Sequence, residues 1–506
     1  MGTIGRRARE LAVPVVVCAL TLGVYCLYSV GQWRMMASPS WDLAIFTEAA
    51  KSYSQGHWPI VPIKGPGFNL LGDHFHPILV LLGPVYRVFP SGLTLLIVQN
   101  ALLAWSAWPV TRAATRLAGS AGGFVIGLAY GLGWGLQGAV GAQFHEVAFA
   151  VPMLAHGGVA FAQGRYRACM AWLAPLVLVK EDLGLTIMVA GLVLAWRRRD
   201  QGRRALAESL GFAAFGAVAF AITTQVLLPA LNPAGTWAYS LDGSATGAGS
   251  SAGGAAAAKV WPSLIEILTF PSVKIATVLV CVLGAGVVGA ASPWFALVVP
   301  TLAWRFMGSV DFYYGWSSWH YNAVLVPIAS AALLDVLGRA AQWRDRRSAD
   351  EDRALADEAG AAAWRAERLS SWWGTGVISV GVATPLLALA ATAPLLPMWQ
   401  LTSSGFGQDG PRAEAAHQAM AAVPAGSAVE TDITLMARMV PDHEVYWVGS
   451  AKDMDPLPEY VVVDQHSYVW GGRDVTAVGW ATDAHPGHSY ELVFERNGFQ
   501  VAHRTS

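Results

Sequence analysis

Long apolar stretches separated by short polar or arginine-containing segments recur over residues 1–400. An α-helix needs roughly 20 residues to cross a bilayer, and several stretches approach that length. The pattern therefore predicts an α-helical polytopic membrane protein with about 11 transmembrane helices. We place them at 11–30, 93–112, 120–140, 147–163, 168–180, 183–196, 206–230, 274–290, 293–307, 321–338 and 374–398.

The first apolar stretch follows Arg6, Arg7 and Arg9 and in this respect imitates a secretory signal. It is too long for the apolar region of a signal peptide, and no clear small-residue cleavage site precedes Trp33. We expect it to be retained as the first transmembrane helix.

Arginines on alternate loops predict the orientation, because cytoplasmic loops carry an excess of basic residues. They cluster at 6–9, 112–116, 165–167, 197–204 and 339–368. The N-terminus is therefore expected in the cytoplasm and the C-terminus outside. The same rule makes 31–92 the first outside loop and 339–372 a cytoplasmic connector.

Two loops have unusual compositions. Residues 345–368 mix acids, bases and alanines, which favours a solvated helix stabilised by i,i+4 charge pairs. Residues 243–258 are rich in Gly, Ser and Ala and predict a flexible outside linker.

The first outside loop contains two apolar segments that are too short to span a bilayer. Residues 42–54 place Leu43, Phe46, Ala50 and Tyr53 on one face of a helix, as expected for a helix in the membrane interface. Residues 76–89 are expected to lie against the outer leaflet.

The composition turns polar after Trp399 for about a hundred residues, which is enough for one small domain. We expect a helix at 414–423, strands at 427–431, 445–448 and 460–464, a second helix between the first two strands, and a hairpin at 490–502 that turns at Asn497-Gly498. The chain thus divides into a transmembrane domain, 1–400, and a small extracytoplasmic α/β domain, 401–506.

Composition narrows the class of protein. Hydrophobic residues make up 54% of the 506 residues and charged residues only 13%, which excludes an ordinary soluble enzyme. A net charge of −1 supplies no basic field for nucleic acid. The four cysteines lie in apolar stretches without zinc or disulfide spacing. There is no phosphate loop, dinucleotide fingerprint or Gly-x-Ser-x-Gly motif, so ATP-driven transport and serine hydrolysis are unsupported.

The predicted outside loops carry most ionisable residues of the membrane region. Such residues beside hydrocarbon tend to face a cavity, so each is a candidate site residue. The candidates are Asp42, Glu48, Lys64, Asp73, His74, His76, His145, Glu146, Lys180, Glu181, Asp182, Asp311 and His320, followed by Tyr321.

Lys180 lies between two apolar stretches and therefore needs an anion nearby. Glu181, Asp182 or a ligand phosphate can supply it, and an internal ion pair that holds a helix break is the structural alternative. Asp42 begins the first short helix, where a carboxylate is also an ordinary N-terminal cap.

Two further groups allow a binding and a structural interpretation. Asp73, His74 and His76 can bind a divalent metal or form a hydrogen-bonding loop. His145 and Glu146 can complete a metal site, pair with a donor phosphate, or form the polar end of a helix.

Four strings resemble a bacterial membrane family, domain of unknown function 2079: WDLAIF at 41–46, GPGFNLLGDHFHP at 65–77, VKEDLG at 179–184 and HY at 320–321. The resemblance covers most of 35–335. The order of one helix, a long outside loop that begins with an acid, many spans and an outer C-terminal domain is similar to the GT-C superfamily of membrane glycosyltransferases.

The GT-C resemblance implies inverting transfer of a sugar at the outer face of a bacterial plasma membrane. The donor would be linked to polyprenyl phosphate, and the acceptor would be a cell-wall glycan, lipid or protein. Asp42 would be the general base, within hydrogen-bond distance of the acceptor hydroxyl. Lys180, with His74 or His320, would stabilise the phosphate that leaves.

Some GT-C members use a divalent cation, Mg or Mn, held by acids of the first two outside loops. Here that would be Asp42 with Glu146. His145-Glu146 departs from the His-Pro pair expected in the family.

Two other functions remain open at this point. A transporter or flippase of lipid-linked saccharides would act without catalysis, although the repeated halves typical of transporters are not evident. A scaffold that binds cell-wall polymer would use exposed aromatic residues of the outer domain. Trp447, Tyr468 and Trp470 are expected to be exposed and suitable for stacking on sugars, although a buried strand position explains Trp447 equally well.

Overall fold

A computed structural model describes residues 3–237, 272–308, 310–317, 319–355, 363–452, 454 and 457–505. The predicted linker 243–258 lies outside the described residues, as does the section 356–362 of the connector.

The membrane region is helical, as the apolar pattern predicted. Its α-helices are α1 (Thr3–Arg34), α2 (Asp42–Ser54), α3 (Leu82–Val88), α4 (Gly92–Gly131), α5 (Trp134–Gly141), α6 (Ala150–Ala162), α7 (Tyr166–Leu173), α8 (Leu183–Arg197), α9 (Arg203–Ile222), α10 (Leu228–Leu231), α11 (Ser272–Gly284), α12 (Val298–Met307), α13 (Leu325–Leu355) and α14 (Ala363–Thr392).

Five helical segments among the described residues are long and apolar enough to cross a membrane: Glu10–Arg34, Gly92–Gly141, Arg203–Leu231, His320–Arg344 and Gly376–Leu395. Shorter apolar helices cover other predicted spans, including Glu146–Ala162 and Leu183–Arg197. The helical membrane fold is confirmed, whereas the count of eleven spans stays a prediction.

Helix α4 is a helical hairpin that reverses at Gly119, where φ is +73°. A side chain at Gly127 would meet Thr111, which places the two arms in contact. The Tyr130 hydroxyl also donates to Ser106 across the arms. The predicted spans 93–112 and 120–140 therefore pack directly against each other.

Short 3-10 segments interrupt or precede several apolar helices. They are Glu146–Ala148 before α6, Ala174–Leu178 after α7, and Asp311–Tyr314 and His320–Asn322 between α12 and α13. Four of the candidate residues predicted from the sequence lie in these segments: Glu146, Asp311, His320 and Tyr321.

Helix α2 has the predicted bounds, and its buried surface extends beyond the predicted apolar face. Residues Leu43–Ala50 are all buried, including Glu48. The reason is that the C-terminal domain packs on α2: Lys51 Nζ donates to the carbonyls of Val440 and His443.

The C-terminal domain contains a five-stranded sheet in the order β2-β1-β3-β5-β4. Strands β1 (Ala428–Thr431), β2 (Glu444–Trp447) and β3 (Tyr460–Asp464) are parallel, and β4 (Tyr490–Arg496) and β5 (Phe499–Arg504) form an antiparallel hairpin. Asn497 and Gly498 both have positive φ, as the predicted Asn-Gly turn requires. The helices are α15 (Pro411–Ala421), α16 (Met436–Met439) and α17 (Ala477–Ala484).

Helix α17 was missed from the sequence, although Thr476 caps it by accepting from the Gly479 amide. Trp470 was expected to be exposed, and this is wrong. It is buried, and its indole N–H donates to the carbonyl of Asp464.

The C-terminal domain also holds the segment between α1 and α2. Arg438 is buried, stacks on Trp33 at 4.3 Å and donates to its carbonyl. The Ser38 hydroxyl donates to the carbonyl of Thr434. The segment that leads to Asp42 is thus fixed by residues about 400 positions further along the chain.

Candidate functional site

Asp42 is the first residue of α2, but it does not cap the helix. Trp41 occupies the cap position, and no side chain makes a capping bond there. The Asp42 amide donates to the Ser40 hydroxyl, and its side chain is 30% exposed. The capping interpretation is therefore wrong, and the carboxylate is accessible.

His145 is the nearest ionisable neighbour of Asp42. Its Nε2 lies 3.4 Å from Oδ2 of Asp42, while its ring is almost fully buried. Gln99 accepts from the His145 amide, and His145 Nδ1 lies 3.3 Å from the Gln143 carbonyl. Burial raises the pKa of Asp42, but His145 and the Ser40 hydrogen bond together lower it by more, so the net pKa is below its usual value and the carboxylate is ionised at neutral pH.

His145 stacks on His320 with ring centroids 3.6 Å apart and an interplanar angle of 23°. Each histidine closely follows a non-glycine residue with positive φ: Gln143 at +73° and Trp319 at +63°. Such backbone costs about 1–3 kcal/mol and clusters at functional sites. Each of the two stacked rings is therefore carried by a loop with a strained backbone, which the surrounding packing must hold in place.

Lys180 pairs with Glu146 rather than with Glu181 or Asp182, the two residues expected from the sequence. Its Nζ lies 2.8 Å from Oε1 of Glu146, and both side chains are largely buried. Local sequence did not reveal this pair because the two residues lie 34 positions apart, on separate helix breaks.

The loop 31–92, predicted to lie outside, reaches the same region through His74. Its Nδ1 lies 2.7 Å from Oε1 of Glu181, and the Phe75 amide donates to the second carboxylate oxygen. Burial lowers the pKa of His74, but Glu181 more than compensates and the net pKa is raised. Asp73 pairs with Lys64.

His76 is buried beside Phe46, with ring centroids 5.8 Å apart. Burial lowers its pKa to about 4, so it is neutral at physiological pH. Glu48 is also buried and accepts from the Ile63 amide. Asp311 is exposed.

Asp182 has a carboxylate oxygen, Oδ1, that is buried and makes no hydrogen bond among the described residues. Burial raises the pKa of this carboxyl to about 6, against the opposing charge of Lys180.

The residues predicted to hold a metal do not fit one. Glu146 Oε1 accepts from Lys180, and Asp42 faces the ring of His145. In the part of the chain that the structure describes, no group of three or more His, Cys, Asp or Glu side chains is arranged to hold a metal ion. No step of the proposed reaction is therefore assigned to a metal.

Tyr321 belongs to an aromatic cluster on the loop before α13. Its ring contacts His320 at 4.1 Å and Tyr313 at 4.9 Å. The residue that sequence reasoning missed is Arg305, which is buried beneath this loop. Its guanidinium donates to the carbonyl of Tyr313 and to the side chain of Asn322. The sequence did contain a signal for it. Arg305 lies at the predicted outer end of a span, where the positive-inside rule disfavours arginine.

The chain belongs to the family described as predicted membrane protein (DUF2079), whose model matches residues 33–501. Comparison with curated proteins gives no match. Among solved structures, ArnT from Cupriavidus metallidurans in the apo state is similar, with a TM-score of 0.43 and 15% sequence identity. The similarity covers 96% of this chain and 97% of that chain.

Proposed function

We propose that this DUF2079 membrane protein is an inverting glycosyltransferase. It moves a sugar from a polyprenyl-phosphate-linked donor to a cell-envelope acceptor on the outer face of a bacterial plasma membrane, and Asp42 is its general base. The observation that carries the proposal is the Asp42 carboxylate, which is accessible and ionised at the edge of a buried cluster of charges.

A general base must be ionised and must reach the hydroxyl that it deprotonates. Asp42 meets the first condition because His145 and Ser40 together hold its pKa below the usual value against the effect of burial. The exposed part of its side chain supports the second, because two neighbouring carboxylates of the cluster, Glu146 and Glu181, are 3% exposed and already paired.

The leaving phosphate needs nearby positive charge. Lys180 and His74 come from separate loops into the same cluster, and both keep a carboxylate partner in this structure. Donor binding would therefore require the phosphate to share Lys180 with Glu146. We assign Lys180 to the donor phosphate on this basis, with His74 or His320 beside it.

The proposed step is a single displacement. The acceptor hydroxyl gives its proton to Asp42, and its oxygen forms a bond to the anomeric carbon from the face opposite the phosphate. The bond between that carbon and the phosphate oxygen breaks, and its electron pair leaves with polyprenyl phosphate. Positive charge beside the departing phosphate lowers the barrier.

The test is transfer by the full chain in proteoliposomes, with polyprenyl-phosphate-linked sugars labelled in the sugar and a cell-envelope extract as acceptor. Asp42→Asn should lower the rate at least about 100-fold, the scale of a lost general base. Binding of the donor should remain within a few-fold. Asp311→Asn, which changes an exposed acid of another outer loop, is the matched control.

Two results would contradict the proposal. One is unchanged turnover in the Asp42→Asn chain. The other is movement of the intact labelled donor across the bilayer without release of sugar, which would favour the transporter alternative.

A further inference from the structure

The three aromatic residues of the outer domain that suited sugar binding lie in different surroundings. Trp470 is buried, and Trp447 packs edge-on against Trp41 at 5.5 Å. Tyr468 alone stays exposed, at 62%. Its hydroxyl donates to the carbonyl of Pro39 at 3.0 Å, so the exposed ring is tethered at one end.

Tyr468 lies after β3, at the carboxyl edge of the parallel strands. Ligands of open α/β sheets bind outside this edge, near the point where the strand order reverses. Here β1 lies between β2 and β3: the chain passes from β1 to β2 on one side and then returns to β3 on the other side of β1. The same edge contacts the segment that leads to Asp42, through the pairs Ser38–Thr434, Pro39–Tyr468 and Trp41–Trp447.

The carboxyl edge of the parallel strands and the proposed catalytic base therefore meet at one place. Tyr468 is close enough to Asp42 for the carboxylate to raise the pKa of the phenol, in addition to the larger effect of burial.

We propose that Tyr468 binds the acceptor, and that the acceptor is a saccharide whose hydroxyl is presented to Asp42. This inference rests on the proposed function and names its acceptor class. The outer domain then forms one wall of the site, and the segment 38–42 forms the other.

The chemistry around Tyr468 fits a saccharide better than a lipid chain. A tethered aromatic ring offers a rigid apolar face, and a tyrosine loses little conformational entropy on binding. A sugar ring has an apolar C–H face for stacking and hydroxyls for polar neighbours. Polar neighbours are present here as the Pro39 carbonyl and the Asp42 carboxylate, whereas a lipid chain needs a continuous apolar surface.

The experiment measures equilibrium binding, without donor, of a panel of cell-envelope oligosaccharides to the full chain in nanodiscs. We expect at least one oligosaccharide to bind. Tyr468→Ala should weaken that binding about 3- to 10-fold, and Tyr468→Phe, which keeps the ring, should stay within about 2-fold of the native chain. Trp58→Ala removes a comparably exposed aromatic residue, at 66%, and should have no effect.

Equal binding by the native and Tyr468→Ala chains overturns the inference, as does binding of no oligosaccharide in the panel. Asp42→Asn separates this inference from the proposed function. Retained oligosaccharide binding with lost transfer supports both. Retained binding with retained transfer contradicts the role of Asp42 as base and leaves the acceptor assignment supported.

Discussion

Lys180 and Glu146 form a largely buried ion pair, Nζ to Oε1 at 2.8 Å, that joins the helix break before α6 to the break before α8. Removing one partner of a buried pair leaves an uncompensated charge, which typically costs about 3–5 kcal/mol. We therefore expect Glu146→Gln to lower the thermal unfolding temperature of the detergent-solubilised chain markedly.

The double variant Glu146→Leu/Lys180→Met is the matched control for this pair. Replacing both charges by apolar groups of similar size is often nearly neutral. We expect the double variant to recover most of the stability lost in Glu146→Gln. We expect it to lack sugar transfer, because Lys180 is no longer present. A stable Glu146→Gln chain would show that the pair is not needed for folding.

The pH dependence of stability should depend on Asp182. Its folded pKa is about 6 against a usual 3.8, so the folded state binds more protons between these two values. The contribution of Asp182 to the free energy of unfolding is therefore fully present below pH 3.8, declines as the pH rises to about 6, and changes no further above that pH.

Asp182→Asn lacks this titration. The unfolding temperature of the Asp182→Asn chain minus that of the native chain should increase between pH 4 and about 6.5 and then remain level. Unfolding curves of both chains across this range test the prediction, with Asp311→Asn as an exposed control. A difference that does not vary with pH would mean that Asp182 keeps an ordinary pKa in the folded chain.

The helices and much of the C-terminal domain were predictable, because their signals are local. Apolar stretches of helical length predicted the membrane helices, and the Asn497-Gly498 turn predicted the β4–β5 hairpin. The bounds of α2, Asp42–Ser54, followed from an acid at its start and apolar residues at helical spacing.

The pairing of the charges was not predictable, because it depends on which loops meet in space. Lys180 has two carboxylates next to it in sequence, yet it pairs with Glu146. Asp42 resembles a helix cap locally, but the packing of His145 gives it different surroundings. Similarly, Trp470 lies in a polar stretch and is nevertheless buried against its own sheet.

Arg305 should determine the conformation of the loop that carries His320 and Tyr321. Its guanidinium makes three hydrogen bonds, to the Tyr313 carbonyl, the Asn322 side chain and the Gly315 carbonyl, at 2.7–2.9 Å. A lysine ammonium lacks the planar geometry to reach all three acceptors.

We expect Arg305→Lys to speed amide hydrogen exchange in the segments Asp311–Tyr314 and His320–Asn322, with a loss of local stability of about 3 kcal/mol, because hydrogen bonds of charged groups are worth about 1.5–3 kcal/mol each. Arg87→Lys, at an exposed arginine of α3, should leave exchange in both segments unchanged. Unchanged exchange in Arg305→Lys would mean that the aromatic packing alone holds the loop.

Glycine allows α8 and α9 to approach each other closely. A Cβ on Gly191 of α8 would lie 2.6 Å from the Cα of Ala213 on α9, closer than real side chains come to a backbone atom. Gly191→Ala must therefore push the two helices apart, and overpacking of this kind typically costs about 1–3 kcal/mol. Because α8 begins directly after Lys180-Glu181-Asp182, the shift should also reduce sugar transfer.

Gly211 of α9 supplies the matched control, since a Cβ there meets no atom within 4 Å. Gly211→Ala should leave transfer unchanged and raise helix stability by up to about 1 kcal/mol, the difference in propensity between the two residues. Thermal unfolding and sugar transfer, measured on both variants, separate the effect of close helix packing from the effect of helix propensity. Equal behaviour of the two alanine variants would show that the contact between α8 and α9 is looser than this structure describes.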